Sequence, residues 1–370
     1  MRNICYIRFG PTSKILGERL DPWWFHQNGF NVLFWEIAKI YYNESNINKY
    51  FFTPSYKFIG PNHEEFENKE KFIQSLKKLS KDTIIVYGNR SPFLIQNDVW
   101  LTDFITNYFK IIIPIQFDTR PLSKNFFIFL KDSLGLLKHR YYSKKLNFSH
   151  FIGCGKVGKL NAKIIHPKAE FISIPSPIIL WESSNKILEE SYNVFVDENI
   201  IYHPDGKIYN VKKATYDYVT YYKNLNYFLK LIEDFSSKPT IIAASIKYIY
   251  KKDFFEGRKI IYGKTLELIQ HSDLVLGHCS LALYQAIINN KPIIQFNVSD
   301  FTENKKAHNK YTARMTNKKI YESSNFTKKD YNNSLRVDSL KNQIIEKNYF
   351  REFNSYQDYR TIIKKKLGNL

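Results

Sequence analysis

The chain is short of cysteine, of acid and of long apolar runs, and each shortage removes a class of protein. Only Cys5, Cys154 and Cys279 occur among 370 residues, far apart and without C-x-x-C spacing. Neither a disulfide framework nor a zinc site is therefore expected, and a reducing compartment, the cytoplasm, fits that usage. No stretch reaches about 18 uninterrupted apolar residues, so no membrane-spanning helix is expected. The opening MRNICYIRFG lacks the sustained apolar segment of a secretory signal. No D-x-D motif offers a bridging metal its carboxylates, so no metal and no other cofactor is expected.

What is present is apolar material and positive charge. Hydrophobic residues make up 44% and aromatics 16% of the chain, enough for packed cores and too much for disorder. At 370 residues two domains are expected. Fifty-five basic residues against 35 acidic ones leave a net charge of +20, a field that draws anionic partners. Nucleic acid, anionic lipid headgroups and phosphorylated sugars all qualify. The lysines are spread out, in clusters no longer than Lys144-Lys145, Lys251-Lys252 and Lys364-Lys365-Lys366, and an AT-rich coding bias would produce the same excess. Peripheral contact with an anionic membrane at its inner face is a hypothesis that this charge supports.

Short β-branched runs alternate with amphipathic stretches, the pattern of a parallel sheet covered by helices. In the first half, strands are expected at 3–9, 30–35, 83–87, 110–116 and 148–152, with a helix over 22–28 closed by Gly29. The segment ISIPSPIILW carries two prolines in an extended setting and is read as a linker. The second half restarts with a strand at 192–196 and a helix from 216 to 235. Strands at 240–244, 260–261, 274–276 and 292–296 then alternate with helices at 265–270 and 280–289. Residues 301–340 read as polar, and 349–366 as helical. The expected domains are 1–178, 179–335 and a C-terminal segment 336–370 that crosses back to the first.

Two stretches carry candidate chemistry. In GKTLELIQHSDLVLGHCSLALYQAIINNKPIIQF, the chain turns at Gly277-His278-Cys279-Ser280 from a strand's carboxyl end into a helix. Free N–H groups and the positive end of a helix dipole there favour a phosphate. Ser280 is equally readable as a plain helix cap. Lys264 and Thr265 repeat the arrangement at a second helix start, and Arg258 could supply a forked contact to phosphate or sit as a solvated charge. In VFVDENIIYHPD, a strand runs into Asp197 and Glu198, with His203 and Asp205 behind them. Carboxylates at a strand's carboxyl end suit a base, a nucleophile or a partner for sugar hydroxyls; the bland alternative is a capped turn.

These blocks, together with TIIAASIKY and FFEGRKIIYGKTLELI, resemble in order and spacing a group of bacterial capsule and O-antigen proteins. That group includes GT-B glycosyltransferases using CMP-activated acidic sugars such as Kdo and is more distantly similar to bacterial sialyltransferases. The resemblance spans about residues 190–300 and, more loosely, NGFNVLFWEIAKI. It implies an α/β GT-B fold, two Rossmann-like domains facing a central cleft, with a nucleotide-sugar site in the second. By the same resemblance Ser280 meets the donor phosphate, Asp197 is catalytic or orients the sugar, and the acceptor is a growing polysaccharide or lipid-linked glycan. The group commonly carries a His-Pro pair after the strand matched by TIIAA, where this chain reads Ser245-Ile246-Lys247; Lys247 offers a point charge in place of an imidazole.

Three further readings stand beside this one. Gly153, Gly155 and Gly158 spell a literal G-x-G-x-x-G, but the stretch after Gly158 is short for a crossover helix and no acidic residue lies about 20 positions on; a glycine-rich loop is expected. In the first half, Arg90, Asp118 and Arg120 are candidates to line an acceptor cleft. A nucleic-acid-binding protein would use the charge and the aromatics for stacking, although these aromatics fall in apolar strands and helices where they read as core. A non-catalytic relative that binds a glycan precursor is the remaining alternative.

Overall fold

Runs such as NICYIR, NVFV, TIIAA and IIQFN bury nearly every residue rather than alternate ones, as parallel strands covered on both faces must. The computed structural model describes residues 2–14, 17, 20–42, 47, 57–88, 99–116, 134, 148–174, 176, 185–202, 215, 217–245, 248–350 and 364–365. The chain divides into two units, one of Met1–Pro177 with Lys347–Leu370 and one of Ile178–Glu346.

In the first unit the described elements are β1 (Asn3–Arg8), α1 (Pro22–Gln27), β2 (Asn31–Glu36), α2 (Ala38–Tyr41), β3 (His63–Glu65), α3 (Lys69–Lys78), β4 (Ile84–Gly88), α4 (Val99–Tyr108), β5 (Ile111–Gln116), β6 (His150–Gly153), α5 (Gly155–Ile165) and β7 (Glu170–Ser173). Their sheet has the order β3-β2-β1-β4-β5-β6-β7, and every pair is parallel. Phe72 and Leu76 of α3 and Leu101 and Ile105 of α4 pack with Cys5, Ile7, Trp35 and Ile85 in one core. The α3 start is fixed by Asn68, whose side chain accepts from the Glu70 and Lys71 amides, a cap contributing about 1 kcal/mol.

The second unit holds β8 (Asn193–Val196), α6 (Tyr218–Ser236), β9 (Thr240–Ala244), β10 (Ile260–Tyr262), α7 (Thr265–His271), β11 (Leu274–Gly277), α8 (Leu283–Ile288), β12 (Ile293–Asn297), α9 (Glu303–Thr316), β13 (Ile320–Glu322), α10 (Lys328–Ser334) and α11 (Ser339–Tyr349). Its sheet order is β10-β9-β8-β11-β12-β13, again parallel throughout. Along α6, Tyr221, Leu225, Phe228, Leu229 and Ile232 recur three and four apart and are buried, which makes one apolar stripe on a helix. That stripe packs on Phe195, Ile242, Leu276, Ile294 and Phe296. Phe228 lies 4.2 Å, ring to ring, from Phe296, and its truncation to alanine would cost about 3–5 kcal/mol.

The element most at odds with the sequence reading is α9. Its inward residues are Lys305, Asn309, Thr312, Ala313, Met315 and Thr316. That face has helical spacing but is mostly polar, so apolar periodicity gave no sign of it. Thr302 caps the helix by accepting from the Lys305 amide. The helix expected over 349–366 falls mostly outside the described residues.

Candidate functional site

The second sheet changes direction at its middle. The chain runs from β8 outward through β9 to β10, then returns to place β11 on the other side of β8. In open α/β sheets, ligands bind beyond the carboxyl ends of the strands at such a switch. Asp197 and Glu198 leave β8 at this point; His278, Cys279 and Ser280 leave β11 beside them.

These two loops are joined by a buried polar cluster. The Glu198 carboxylate accepts from the Cys279 N–H, from the Cys279 thiol at 3.1 Å and from the Lys305 ammonium at 2.6 Å. Lys305, on the first turn of α9, also reaches Cys279 Sγ at 2.8 Å. His308, one turn further and exposed, brings Nδ1 to 3.6 Å from the same sulfur. Glu198 and Lys305 are only 13% and 8% exposed. Burial alone would raise the Glu198 pKa, but Lys305 overrides it and brings the carboxyl down to about 2. Lys305 is raised in return, its loss of hydration outweighed by Glu198 and Cys279.

Asp197, one residue earlier, has the opposite balance. It is buried, and burial lifts its carboxyl to about 6 even though Tyr250 and the Asn199 amide stabilise the charged form. The Tyr250 hydroxyl donates to Oδ2 at 2.6 Å, and the Asn199 N–H donates to Oδ1 at 2.9 Å. Asn199 takes a left-handed φ of 49° to close this turn, a conformation asparagine adopts more readily than most residues. Adjacent carboxyls driven apart in this way can divide labour, one taking up a proton near neutral pH while the other stays charged.

A second layer holds the loops. The His278 ring is fully buried among Phe195, Phe296 and Phe301, and burial brings its pKa down to about 4. A neutral imidazole can donate from Nδ1 to the Phe296 carbonyl at 2.8 Å and accept from the Tyr221 hydroxyl at 3.4 Å. The Gln295 side chain donates to the His278 carbonyl at 3.0 Å and accepts from Thr316. Asn309 donates to Asn297 at 2.7 Å. Connected, buried hydrogen bonds of this kind rigidify the edge that they line, which is why α9 turns a polar face inward.

The sequence-derived candidates divide accordingly. Asp197, Glu198, Gly277 and Ser280 lie at the central switch. Ser280 does not cap a helix: α8 begins at Leu283 with Ala282 as its cap, and the Ser280 hydroxyl accepts from the Ala282 amide at 3.2 Å. His278 turns into the core, so its ring is a support for the loop and not a contact for a donor. A Cβ at Gly277 would come within 2.9 Å of the Leu283 side chain, which would have to shift. Ser245 closes β9 on the same carboxyl edge. His203, Lys247, Arg90, Asp118 and Arg120 lie outside the described residues.

Lys264 and Thr265 do not join Ser280 in one clamp. They follow the edge strand β10, separated from β11 by β9 and β8, or roughly 14 Å at one strand spacing per step. Lys264 instead pairs with Glu267 at 3.0 Å. Arg258 is also reassigned. It precedes β10, at the amino edge, and grips Glu233 with Nε at 2.8 Å and a second nitrogen at 3.0 Å. Its remaining donors go to Asn226 and the Phe255 carbonyl, so this guanidinium is a structural tie between α6 and the strand.

The glycine motif in the first unit is likewise explained by packing. Gly155 and Gly158 lie within α5, which does serve as the crossover from β6 to β7. Gly155 has φ +67°, and a Cβ there would meet the Asn348 carbonyl oxygen at 2.3 Å. The protein's own C-terminal segment passes where a dinucleotide phosphate would approach.

Among the described residues no group of three or more His, Cys, Asp or Glu side chains is arranged to hold a metal ion. No helix among them is long and apolar enough to cross a membrane.

No known protein family matches the chain, and no curated protein does. Solved structures are similar along its whole length. The UDP-GlcNAc 2-epimerase of Methanocaldococcus jannaschii, in complex with UDP-GlcNAc and UDP, is 12% identical with a TM-score of 0.52, and all of both chains is covered. TcCGT1 in complex with UDP is 9% identical with a TM-score of 0.53, over 100% of this chain and 99% of that one. The spinosyn forosaminyltransferase SpnP is 11% identical with a TM-score of 0.52, over 99% of each. With two parallel α/β units and these neighbours over its full length, the chain has the GT-B fold.

Proposed function

We propose that this protein is a glycosyltransferase that holds a nucleotide-sugar donor at the carboxyl edge of its second unit. The observation that carries the reading is the meeting of the β8 and β11 loops at Glu198, Cys279 and Lys305, with Asp197 beside them at a pKa of about 6. The ammonium of Lys305, the Cys279 amide and the Ser280 hydroxyl are the groups that would stabilise a departing phosphate. Asp197, ionised above about 6, would take the proton from the attacking hydroxyl or orient the sugar.

The donor is a pyrimidine nucleotide sugar in this reading. Two structural neighbours carry UDP, and the sequence blocks resemble users of CMP-activated acidic sugars such as Kdo. The acceptor is a growing surface polysaccharide or a lipid-linked glycan. Nucleic acid is left out of this reading, which is supported by the burial of Phe34, Phe72, Phe195, Phe228 and Phe296 in the cores. A thermal-shift screen against CMP, CDP, UDP, GDP and their sugars tests this, since a ligand of the folded state raises the melting temperature. Stabilisation by pyrimidine nucleotides is expected; stabilisation by GDP alone, or by none, would sink the reading. Because one neighbour is an epimerase, product analysis must show a sugar on a new acceptor and not merely an altered donor.

Contact with an anionic membrane belongs to the same proposal. On α5, GKVGKLNAKII, the exposed residues Lys156, Lys159, Leu160 and Lys163 fall within roughly 100° of the helix circumference, and the helix has no acidic residue. A basic arc edged by an exposed leucine suits a headgroup surface. Flotation with phosphatidylglycerol vesicles should carry the protein upward, and replacing these three lysines by glutamate should abolish that; equal flotation of both proteins would reject the surface.

A further inference from the structure

The Glu198 carboxylate is surrounded by donors. Its oxygens meet an ammonium (Lys305, 2.6 Å), a backbone N–H (Cys279) and a thiol (Cys279, 3.1 Å). The Ser280 hydroxyl lies one residue on, and the exposed His308 stands 3.6 Å from the Cys279 sulfur. An ammonium and an amide brought together beyond the carboxyl ends of two central strands form a donor set for phosphate oxygens.

The two sides of this contact are unequally anchored. Lys305 is fixed on a helix of 14 residues whose first turn is capped by Thr302. The Cys279 amide lies two residues past β11, in a loop held by the buried His278 ring and carbonyl and by the Cys279 carbonyl, which accepts from Thr312 at 3.4 Å. Glu198 likewise lies two residues past its strand, β8, beside the left-handed Asn199. The side-chain bonds of Glu198 are to the donors themselves, whereas Lys305 is carried by a helix and the Cys279 loop by bonds to other residues, so the carboxylate is the part that can leave.

We infer that Glu198 is a built-in occupant of a phosphate site formed by Lys305, the Cys279 amide and Ser280, and that a phosphate-bearing ligand binds by displacing it. This rests on the reading that the second unit holds a nucleotide sugar, and it adds that the site is closed by the protein's own carboxylate until the ligand arrives. A site that is free only part of the time binds its ligand more weakly by that fraction. Removing the Glu198 charge therefore raises affinity, whereas a Glu198 that helped to hold the ligand would lower it on removal.

Inorganic pyrophosphate and UDP serve as probes, titrated calorimetrically into the wild type and Glu198→Gln. Pyrophosphate should bind the variant about tenfold more tightly, and Lys305→Met should bind it at least tenfold more weakly than wild type. Equal or weaker binding by Glu198→Gln overturns the proposal. Should that variant fail to fold, a structure of the wild type with pyrophosphate decides: Glu198 swung away from Lys305 supports displacement, and Glu198 still on Lys305 with the anion elsewhere overturns it. Tighter pyrophosphate binding by Glu198→Gln without sugar transfer from any nucleotide donor sinks the transferase reading and leaves this site standing. Transfer by the wild type with weaker binding by the variant does the opposite.

Discussion

Asp197 and Glu198 are neighbours in the chain, yet burial holds one carboxyl at about 6 while the Lys305 ammonium, 2.6 Å away, draws the other down to about 2. The difference comes from partners, since both side chains are largely withdrawn from water. Asp197 has a tyrosine hydroxyl and one amide, which soften the cost of its charge; Glu198 has a full opposite charge, which removes it.

Replacing Asp197 by asparagine should separate activity from stability. Turnover should fall about 10²–10⁴-fold if Asp197 is the proton acceptor, with nucleotide affinity changed far less. The folded pKa stands above the unfolded value, so the folded state holds the proton more tightly. The resulting stability is full below about 4 and is lost as pH rises through about 6. Asparagine cannot ionise, so at pH 8 the variant should be more stable than wild type by roughly 1–3 kcal/mol. Chemical denaturation at pH 5 and pH 8 checks this; a variant less stable at both would show that Asp197 holds the fold.

Activity itself should follow the same ionisation. The pH profile of kcat/KM should fall tenfold per unit below about 6, and Glu198, at about 2, should leave no second inflection between 3 and 9. A profile flat from 5 to 8 would remove Asp197 from the chemistry.

The Glu198–Lys305 pair lends itself to a double-mutant cycle. Leaving either charge alone in this buried setting should cost about 3–5 kcal/mol, whereas Glu198→Gln with Lys305→Met should cost much less than the sum. Additive losses would mean that the two side chains do not depend on each other for stability.

Arg258→Ala should act on the fold alone. It breaks a forked, buried pair with Glu233, a loss of about 3–5 kcal/mol, while KM for the donor at a temperature where the variant is folded should stay within twofold. A large rise in KM would return Arg258 to the binding site that its place at the strand's amino edge denies it.

Much of the scaffold was legible because parallel strands buried on both faces announce themselves as short apolar runs, as NVFV, TIIAA and LVLG do. Asp197, Glu198 and Ser280 could be picked out because chemistry at a strand's carboxyl end needs polar residues directly after such a run. Lys305 and His308 could not. They sit on a helix whose inward face is Lys, Asn and Thr, chosen to satisfy Gln295, Asn297 and the loops after β8 and β11, and no apolar rhythm marks it; Thr302 followed by Glu303 as a helix start was the available sign. Arg258 and His278 misled for a related reason. Spacing places a residue near a strand end, but which end, and whether the side chain turns to solvent or core, depends on partners distant in sequence, Glu233 for one and Phe296 for the other.

Hydrogen exchange of the wild type with and without saturating UDP tests the central claim most directly, because it reports where the nucleotide sits without assuming a reaction. Slowed exchange is expected in the segments around 278–282 and 302–308, the loop after β11 and the first turn of α9, with little change at 264–267. Protection confined to the loop after β10 or to the first unit, with 278–282 and 302–308 unchanged, would contradict it.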